Sequence, residues 1–186
     1  MDEEQKTALN LIKALNSIQE SLTSIENRLS KLEKTTVESK PVLPVDHVLI
    51  SCDGSILKNP GGPSTAASVI QQPKLPPVEV VRATNATTNN EAEFDAVYLG
   101  LSTLAALNFM PSTEVEVQSD SRVVIDGLNK TKVLKAPKLI KKRDLILELV
   151  KQFSAGVKFV WKKRNSSPGL ARANNLAQVA NGVKPH

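Results

Sequence analysis

The stretch HVLISCDGS, residues 47–55, decides how the globular part of the chain is expected to fold. Its apolar first half predicts a buried strand over residues 47–52, because it is short and rich in strand-forming side chains. Asp53-Gly54-Ser55, together with Asn59-Pro60-Gly61-Gly62, then predicts a glycine-rich reversal. Residues 66–71 are apolar again and predict a second strand, so the domain is expected to open with a β-hairpin.

Strands and helices alternate along the rest of the chain. The apolar spacing predicts further strands at 78–83, 114–118 and 157–161, and helices at 90–107, 121–128, 138–153 and 171–180. The resulting order βββαβααβα is typical of a mixed sheet covered by helices, an α/β fold.

The N-terminal region carries a heptad repeat. Its a positions and then its d positions are Ala8, Leu15, Leu22 and Leu29, followed by Leu11, Ile18, Ile25 and Leu32. Leu at a with Ile at d favours more than two strands, so residues 1–34 are predicted to form a coiled coil that self-associates through residues 8–34. We expect a homotetramer, with a trimer as the second choice. The alternative is one amphipathic helix packed on its own domain, although such helices usually show a broader apolar stripe.

Two prolines, Pro41 and Pro44, interrupt the helical period after this repeat. Residues 35–46 are therefore interpreted as a linker, and residues 47–186 as one folded domain. A single cysteine excludes an intramolecular disulfide and a cysteine-based zinc cluster. No apolar run reaches the roughly 18 residues of a membrane span, so we expect no membrane association and an intracellular location, cytoplasmic or nuclear.

Three acidic residues are predicted at the ends of different elements: Asp53 after the first strand, Glu93 near the start of a helix, and Asp120 after the fourth strand. Taken singly, each has a structural explanation in a turn, a helix dipole or a helix cap. Together they match what two-metal phosphodiester hydrolysis requires. Hard cations prefer oxygen ligands, and a pair of them must clamp the attacking and leaving oxygens.

These acids lie in motifs that follow one another along the chain: Asp53-Gly54-Ser55 with Asn59-Pro60-Gly61, Thr88-Asn89-Asn90-Glu91-Ala92-Glu93-Phe94, Ser119-Asp120-Ser121, and Trp161 with Arg164 and Leu176-Ala177. On these motifs, residues 47–181 closely resemble the ribonuclease HI family, in particular its compact reverse-transcriptase-like branch without a large basic handle. The resemblance implies a ribonuclease H-like fold, with a five-stranded mixed sheet in the order 3-2-1-4-5 flanked by helices. It also implies an endoribonuclease that cuts the RNA strand of RNA/DNA hybrids with Mg²⁺.

The resemblance further implies a site with two Mg²⁺ ions, for which Mn²⁺ can substitute. Asp53 would bridge both ions, and Glu93 and Asp120 would complete one of them. In the family's Thr-Asn-Asn-x-Ala-Glu pattern the ligand is the second acid, so Glu91 is predicted to be a surface residue. The family's Ala-Asp-x-Leu-Ala motif has Asn174 in place of its acid. An Asn carbonyl can still bind a hard cation but brings no charge, so we expect a weaker site.

Nucleic-acid contacts are expected from basic and from polar residues. The net charge of +5 falls on the domain, because residues 1–40 carry seven acidic and six basic side chains. Several lysines lie close together within residues 130–142. Such a run either neutralises phosphates or forms a solvent-exposed face with no ligand. The resemblance implies that a set of polar side chains and backbone groups lies along the hybrid and reads the RNA 2′-hydroxyls. With two basic residues after the last strand, the predicted nucleic-acid-binding residues are Gly54, Ser55, Asn59, Asn89, Asn90, Lys162 and Arg164. Asn90 could instead serve only as a helix cap, and Trp161 is expected in the core.

Three functional hypotheses follow. In the first, the chain is a hybrid-specific endoribonuclease with Asp53, Glu93, Asp120 and Asn174 around two Mg²⁺ ions, and oligomerisation raises its avidity. In the second, loss of the fourth acid has left a weak or inactive enzyme that serves as an oligomeric nucleic-acid-binding or scaffolding protein. A third hypothesis, a protein-interaction platform indifferent to nucleic acid, ranks last because three of the four metal-ligand positions keep their acids.

Overall fold

The computed structural model describes residues 47–107 and 114–183. The predicted coiled coil and linker, residues 1–46, lie outside the described residues. The elements within the described ranges are β1 (Val48–Ile56), β2 (Ser64–Gln71), β3 (Val78–Thr84), α1 (Asn89–Ala106), β4 (Val115–Ser119), α2 (Arg122–Leu128), α3 (Pro137–Val150), β5 (Val157–Trp161) and α4 (Pro168–Ala180). None of these helices is long and apolar enough to cross a bilayer.

Strand β1 forms the centre of a five-stranded sheet. It pairs antiparallel with β2, which in turn pairs antiparallel with β3. On its other side β1 pairs parallel with β4, and β4 pairs parallel with β5. The strand order β3-β2-β1-β4-β5 confirms the mixed sheet that the element order predicted and the strand order that the resemblance implied.

Helices cover both faces of the sheet. On one face, Gly100 of α1 packs against Ile50 of β1, and the main hydrophobic core lies between this helix and the sheet. On the other face, Gly169 of α4 packs against Ser51. Neighbouring side chains of a strand point to opposite faces, so Asp53 belongs to the same face as Ser51. The acid therefore lies on the side of the sheet that α4 covers.

The first strand is longer than the sequence predicted, and Asp53 does not lie beyond its end. β1 runs on through Gly54 and Ser55 to Ile56, and Asp53 is paired with Ala67 of β2. The prediction was wrong because Asp-Gly-Ser is locally a turn sequence, whereas hydrogen bonding to β2 keeps these residues extended. The chain reverses only in residues 57–63, between the two strands.

Helix α4 also begins earlier than predicted, at Pro168 instead of residue 171. Ser167 caps the helix, since its hydroxyl oxygen accepts a hydrogen bond from the Leu170 backbone N–H at 3.3 Å. A proline at the first helical position suits this start, because its fixed φ is helical and its missing N–H is not needed there. The added turn contains Gly169, the residue that brings the helix against β1.

Candidate active site

Three carboxylates meet where the parallel pairing of β1 with β4 ends. Asp53 lies in β1, Asp120 directly follows β4, and Glu93 lies in the second turn of α1. The parallel register that pairs Ser51 with Gln118 brings the two aspartates level on adjacent strands. Ligand oxygens of all three acids lie within 4.8 Å of one another. The structure thus brings together the three acids that the sequence singled out.

A glycine lets Glu93 approach the strand. A Cβ atom on Gly54 would lie 2.6 Å from the carbonyl oxygen of Ala92 and would overlap the backbone of the helix. Any side chain at this position would therefore force α1 away from β1. The Gly54 backbone N–H also donates a hydrogen bond to the Glu93 carboxylate. The glycine of the Asp-Gly-Ser motif thus fixes the second acid relative to the first.

Burial and mutual repulsion disfavour ionisation of the two inner acids. Asp53 is 4% exposed and Glu93 is 2% exposed. Burial and the negative charge of Asp120 raise the pKa of Asp53 to about 7, against the opposing effect of Arg164. Burial and the charge of Asp53 likewise raise the pKa of Glu93 well above its usual range. A bound cation would therefore lower the pKa of both buried carboxyls, because it would stabilise their ionised forms.

Arg164 supplies the cation nearest to this cluster. Its Nε donates to the Asp120 carboxylate at 2.6 Å, and its side chain remains 56% exposed. One guanidinium against three acids leaves an excess of negative charge when all three are ionised. Such an all-oxygen donor set suits a hard divalent cation, whereas zinc prefers nitrogen and sulfur ligands. The residues present therefore fit a divalent metal ion.

Asn174 lies on α4, beside the strand that carries Asp53. The helix is anchored at one end by Gly169 against Ser51. Near its other end, the hydroxyl of Thr65 donates to a helix carbonyl oxygen at 2.6 Å. These two anchors bracket the part of the helix that contains Asn174. Its amide oxygen accepts a hydrogen bond from Gln178 at 3.1 Å and keeps a second lone pair.

A sequence model described as RNase H matches residues 45–180 of this chain. The chain belongs to the RNase H family. The match spans every element described above, from β1 to α4, and includes all three clustered acids. It confirms the resemblance that the four sequence motifs carried.

Known RNases H resemble the chain in sequence and in structure. Curated ribonucleases H from two Anaeromyxobacter strains, sp. strain K and dehalogenans 2CP-1, are 41% identical over 85 residues, which is 42% of this chain and 43% of each relative. The chain thus spans less than half the length of these relatives. RNase H1 of Halobacterium salinarum is 26% identical with a TM-score of 0.63, covering 72% of this chain and 98% of that one. An RNase H1 isolated from compost, solved in complex with an RNA/DNA hybrid, is 28% identical with a TM-score of 0.64, covering 71% and 94%.

The residues predicted to contact nucleic acid lie in different environments. Asn59 is exposed in the loop between β1 and β2, whereas Gly54 is buried beneath α1. The half-buried members of the set are Ser55, Asn89, Asn90 and Lys162. The alternative role for Asn90 as a cap does not hold, because the hydroxyl oxygen of Thr88 caps α1 by accepting from the Glu91 N–H at 3.3 Å.

Glu91 is not the surface residue that the sequence predicted. It is 6% exposed, and its carboxylate accepts hydrogen bonds from the backbone N–H of Thr87 at 2.9 Å and from the Thr87 hydroxyl at 3.1 Å. Burial raises the pKa of Glu91, but these hydrogen bonds and the charges of Lys138 and Lys142 outweigh it, so the pKa is lowered. The spacing from Thr88 to Glu91 is that of a capping box, a signal in the sequence that would have predicted the inward direction.

Trp161 was predicted to lie in the core, and this was wrong. It is the last residue of the edge strand β5 and is 36% exposed. Its indole N–H donates to the backbone carbonyl oxygen of Asp120 at 2.9 Å. The guanidinium of Arg122 stacks on its outer face, 3.8 Å from the ring centroid. Trp161 therefore fixes the backbone at the end of β4, where the third acid lies.

Part of the basic surface is engaged within the domain. Lys142 pairs with Asp95, and Lys138 lies 3.9 Å from the Glu91 carboxylate, so α3 is tied to α1 by two lysines. Arg143 pairs with its neighbour Asp144 at 2.7 Å. The exposed lysines of the same run are Lys130, Lys132, Lys135, Lys138 and Lys141.

Proposed function

We propose that this chain is an endoribonuclease that hydrolyses the RNA strand of RNA/DNA hybrids. The observation that carries the proposal is the convergence of Asp53, Glu93 and Asp120 within 4.8 Å of one another in a member of the RNase H family. The compost RNase H1 solved with an RNA/DNA hybrid supports the substrate class. Since the substrate is intracellular nucleic acid, the proposed location is the cytoplasm or nucleus.

In the proposed mechanism, Asp53, Glu93 and Asp120 would hold two Mg²⁺ ions, with the Asn174 amide as an uncharged fourth group, and Mn²⁺ could substitute. When bound, the cations neutralise charge on the phosphodiester and assist both the attacking and the leaving oxygen. Asp53 and Glu93 must lose their protons as the cations bind, because burial holds their pKa values high in the free protein. Gly54 and Trp161 keep the acids in place during this change.

Substrate recognition is assigned to the residues around the acids. Asn59, Asn89 and Asn90 present amide groups that can donate to and accept from RNA 2′-hydroxyls. Gly54 and Ser55 contribute backbone groups beside them. Lys162 and Arg164 follow β5 on the side of Asp120, where positive charge attracts the phosphate backbone. Arg164 is already oriented towards the cluster by its ion pair with Asp120.

A second candidate function is a catalytically weak or inactive nucleic-acid-binding protein with this fold. The observation that favours it is Asn174, which brings no charge and whose oxygen already accepts one hydrogen bond from Gln178. A missing carboxylate weakens a divalent cation site, because fewer charges offset the dehydration of the ion. The two candidates differ in turnover and share hybrid binding.

The deciding experiment is cleavage of a labelled RNA/DNA hybrid with Mg²⁺ or Mn²⁺, comparing the wild type with Asp53→Asn. The proposal expects metal-dependent cleavage by the wild type and none by the variant. The variant should stay folded, since it removes a buried acid whose ionisation is unfavourable. Hybrid binding without cleavage would establish the second candidate. Equal cleavage by both proteins would overturn the assigned site.

The N-terminal region is proposed to assemble the protein. Residues 8–34 would form a homotetrameric coiled coil, or a trimeric one, joined by the linker 35–46 to the nuclease domain 47–186. The support is the strict heptad pattern of the sequence. Several tethered domains would bind a long hybrid with greater avidity than one domain.

A further inference from the structure

Thr87 is the point where three segments of the domain meet. Its carbonyl oxygen accepts a hydrogen bond from the backbone N–H of Gly61, in the loop between β1 and β2, at 3.0 Å. Its hydroxyl lies 3.3 Å from the ammonium of Lys138 on α3. Its own backbone N–H and hydroxyl donate to Glu91 on α1. The β1–β2 loop, the start of α1 and the start of α3 are thus joined through one exposed threonine.

The carboxylate of Glu91 holds this threonine in place. Both of its oxygens accept from the Thr87 hydroxyl, each at 3.1 Å, and one also accepts from the Thr87 backbone N–H at 2.9 Å. Hydrogen bonds to an ionised, largely buried acceptor are stronger than those between neutral groups. Lys138 lies 3.9 Å from the same carboxylate. Without Glu91, Thr87 would lose the acceptor that fixes its backbone, and Lys138 the charge that it faces.

The segments joined in this way carry the proposed substrate contacts. Asn59 lies two residues before Gly61, and Asn89 and Asn90 lie two and three residues after Thr87. All three are short polar side chains on loop or helix-end backbone, so their positions depend on how those backbones are held. The hydrogen bond from Gly61 to Thr87 joins the segment that carries Asn59 to the segment that carries Asn89 and Asn90.

We propose that Glu91 is a positioning residue for substrate binding: by holding Thr87, it sets the β1–β2 loop and the start of α1 at the spacing that the hybrid requires. The inference rests on the proposed function and adds to it a residue that touches neither metal nor substrate. Glu93, two residues further along the same helix, points into the acid cluster, whereas Glu91 serves the binding loops. The two glutamates of the Glu-Ala-Glu motif therefore divide catalysis and substrate positioning between them.

The test compares the full-length wild type with Glu91→Ala, Glu91→Gln and Asp95→Asn. Asp95→Asn is the matched control, because it breaks the other carboxylate–lysine pair between α1 and α3 without touching Thr87. Two readouts are taken at a temperature where all four proteins are folded by circular dichroism. They are the hydrogen-exchange rate of the Gly61 amide and steady-state cleavage of an RNA/DNA hybrid.

For Glu91→Ala, we expect faster exchange at Gly61 and a KM for the hybrid raised about tenfold, with kcat changed by less than about twofold. Glu91→Gln keeps one acceptor oxygen, so it should restore most of the wild-type KM. Asp95→Asn should leave both readouts unchanged. The split between KM and kcat, and the rescue by glutamine, would not follow from a general loss of stability.

The inference is overturned if Glu91→Ala keeps the wild-type KM, or if Asp95→Asn raises KM by as much. A roughly tenfold fall in the kcat of Glu91→Ala with unchanged KM would also overturn the inference, since Glu91 would then act on the acid cluster. Absence of cleavage by the wild type would overturn the proposed function and with it the effect on KM. Gly61 exchange would separately support or contradict the link through Thr87, so the two failures are distinguishable.

Discussion

Gly54 of β1 lies directly against the backbone of Ala92 in α1, so closely that a Cβ atom on the glycine would come within 2.6 Å of the Ala92 carbonyl oxygen. This approach is what allows Glu93, the next residue of the helix, to reach Asp53. Both sides of this contact are backbone atoms, so no side chain can rotate to remove an overlap.

Replacing Gly54 with alanine should therefore destabilise the domain and separate the acids. Overpacking against rigid backbone costs at least ~2 kcal/mol of unfolding free energy. Hybrid cleavage should fall by at least a hundredfold, because Glu93 moves with the helix. Urea unfolding and the cleavage assay check the two effects. Gly156→Ala is the control: Gly156 has a φ of 87° and open space around it, so alanine there should cost only ~1 kcal/mol and leave cleavage intact. Wild-type stability in Gly54→Ala would contradict the prediction.

The metal-free protein should lose a stabilising contribution as pH rises. Asp53 has a pKa of about 7 in the folded state, above the roughly 4 of an unfolded aspartate, so folding favours its protonated form. Its contribution is fully present below about pH 4 and is lost as the pH rises to about 7. Asp53→Asn lacks this group, so the variant should become more stable than the wild type by a few kcal/mol across that window. Denaturant unfolding at several pH values measures the difference, and a constant difference would contradict the prediction.

Divalent cations should restore the unfolding free energy that the wild type loses as the pH rises. A cation that binds only the folded state raises the unfolding free energy with its concentration, and at pH 8 both inner carboxyls can ionise in response. We expect Mg²⁺ or Ca²⁺ to raise the melting temperature of the wild type by several degrees at pH 8 and by much less at pH 5. The same titration of Asp53→Asn should give a smaller shift. Equal shifts in both proteins would place the cation elsewhere.

Trp161 should report directly on the acid cluster. It is the single tryptophan of the chain, and its indole N–H is bonded to the backbone of Asp120. Divalent cations and hybrid should each change its fluorescence in the wild type. Cations should change it less in Asp53→Asn. Trp161→Phe removes the signal and one hydrogen bond to the end of β4, at a cost of ~1 kcal/mol. An emission spectrum indifferent to both ligands would argue against coupling between the indole and the site.

Asn174→Asp should strengthen the metal site. If Asn174 belongs to the metal site as proposed, a carboxylate there adds a fourth negative charge, so the Mg²⁺ concentration for half-maximal cleavage should fall by about tenfold. Asn175→Asp adds the same charge one residue further along α4 and serves as the matched control. The measurement is cleavage rate against Mg²⁺ concentration. If both variants behave like the wild type, α4 does not take part in metal binding.

Full-length protein should be an oligomer that a single seam substitution dissociates. Leu22→Asp places a charge at an a position of the predicted coiled coil, whereas Ser24→Asp places the same charge at an outer position. Sedimentation equilibrium should give a tetramer for the wild type and for Ser24→Asp, and a smaller species for Leu22→Asp. A monomeric wild type would rule out the coiled coil.

The order of the elements could be predicted because it depends on short-range patterns, whereas the strand order of the sheet came from the resemblance to the ribonuclease HI family. Apolar runs, turn residues and helix periodicity indicated every element, and the four motifs indicated their arrangement. The three acids could be named in advance for the same reason. The predictions were wrong where a tertiary contact overrode a local sequence preference. Asp-Gly-Ser favours a turn, but these residues continue β1 because they pair with β2.

The sequence by itself determined which acids are present and which motifs carry the fold; that Asn174 stands in place of a fourth acid stays a prediction from the family resemblance. The tertiary structure decided the surroundings of individual side chains. Glu91 turned inward because Thr87 offers it an N–H and a hydroxyl, and Trp161 stayed half-exposed because its strand lies at the sheet edge. It also decided that the pKa values of Asp53 and Glu93 are raised, since a pKa depends on burial and on charges that only the folded chain brings near.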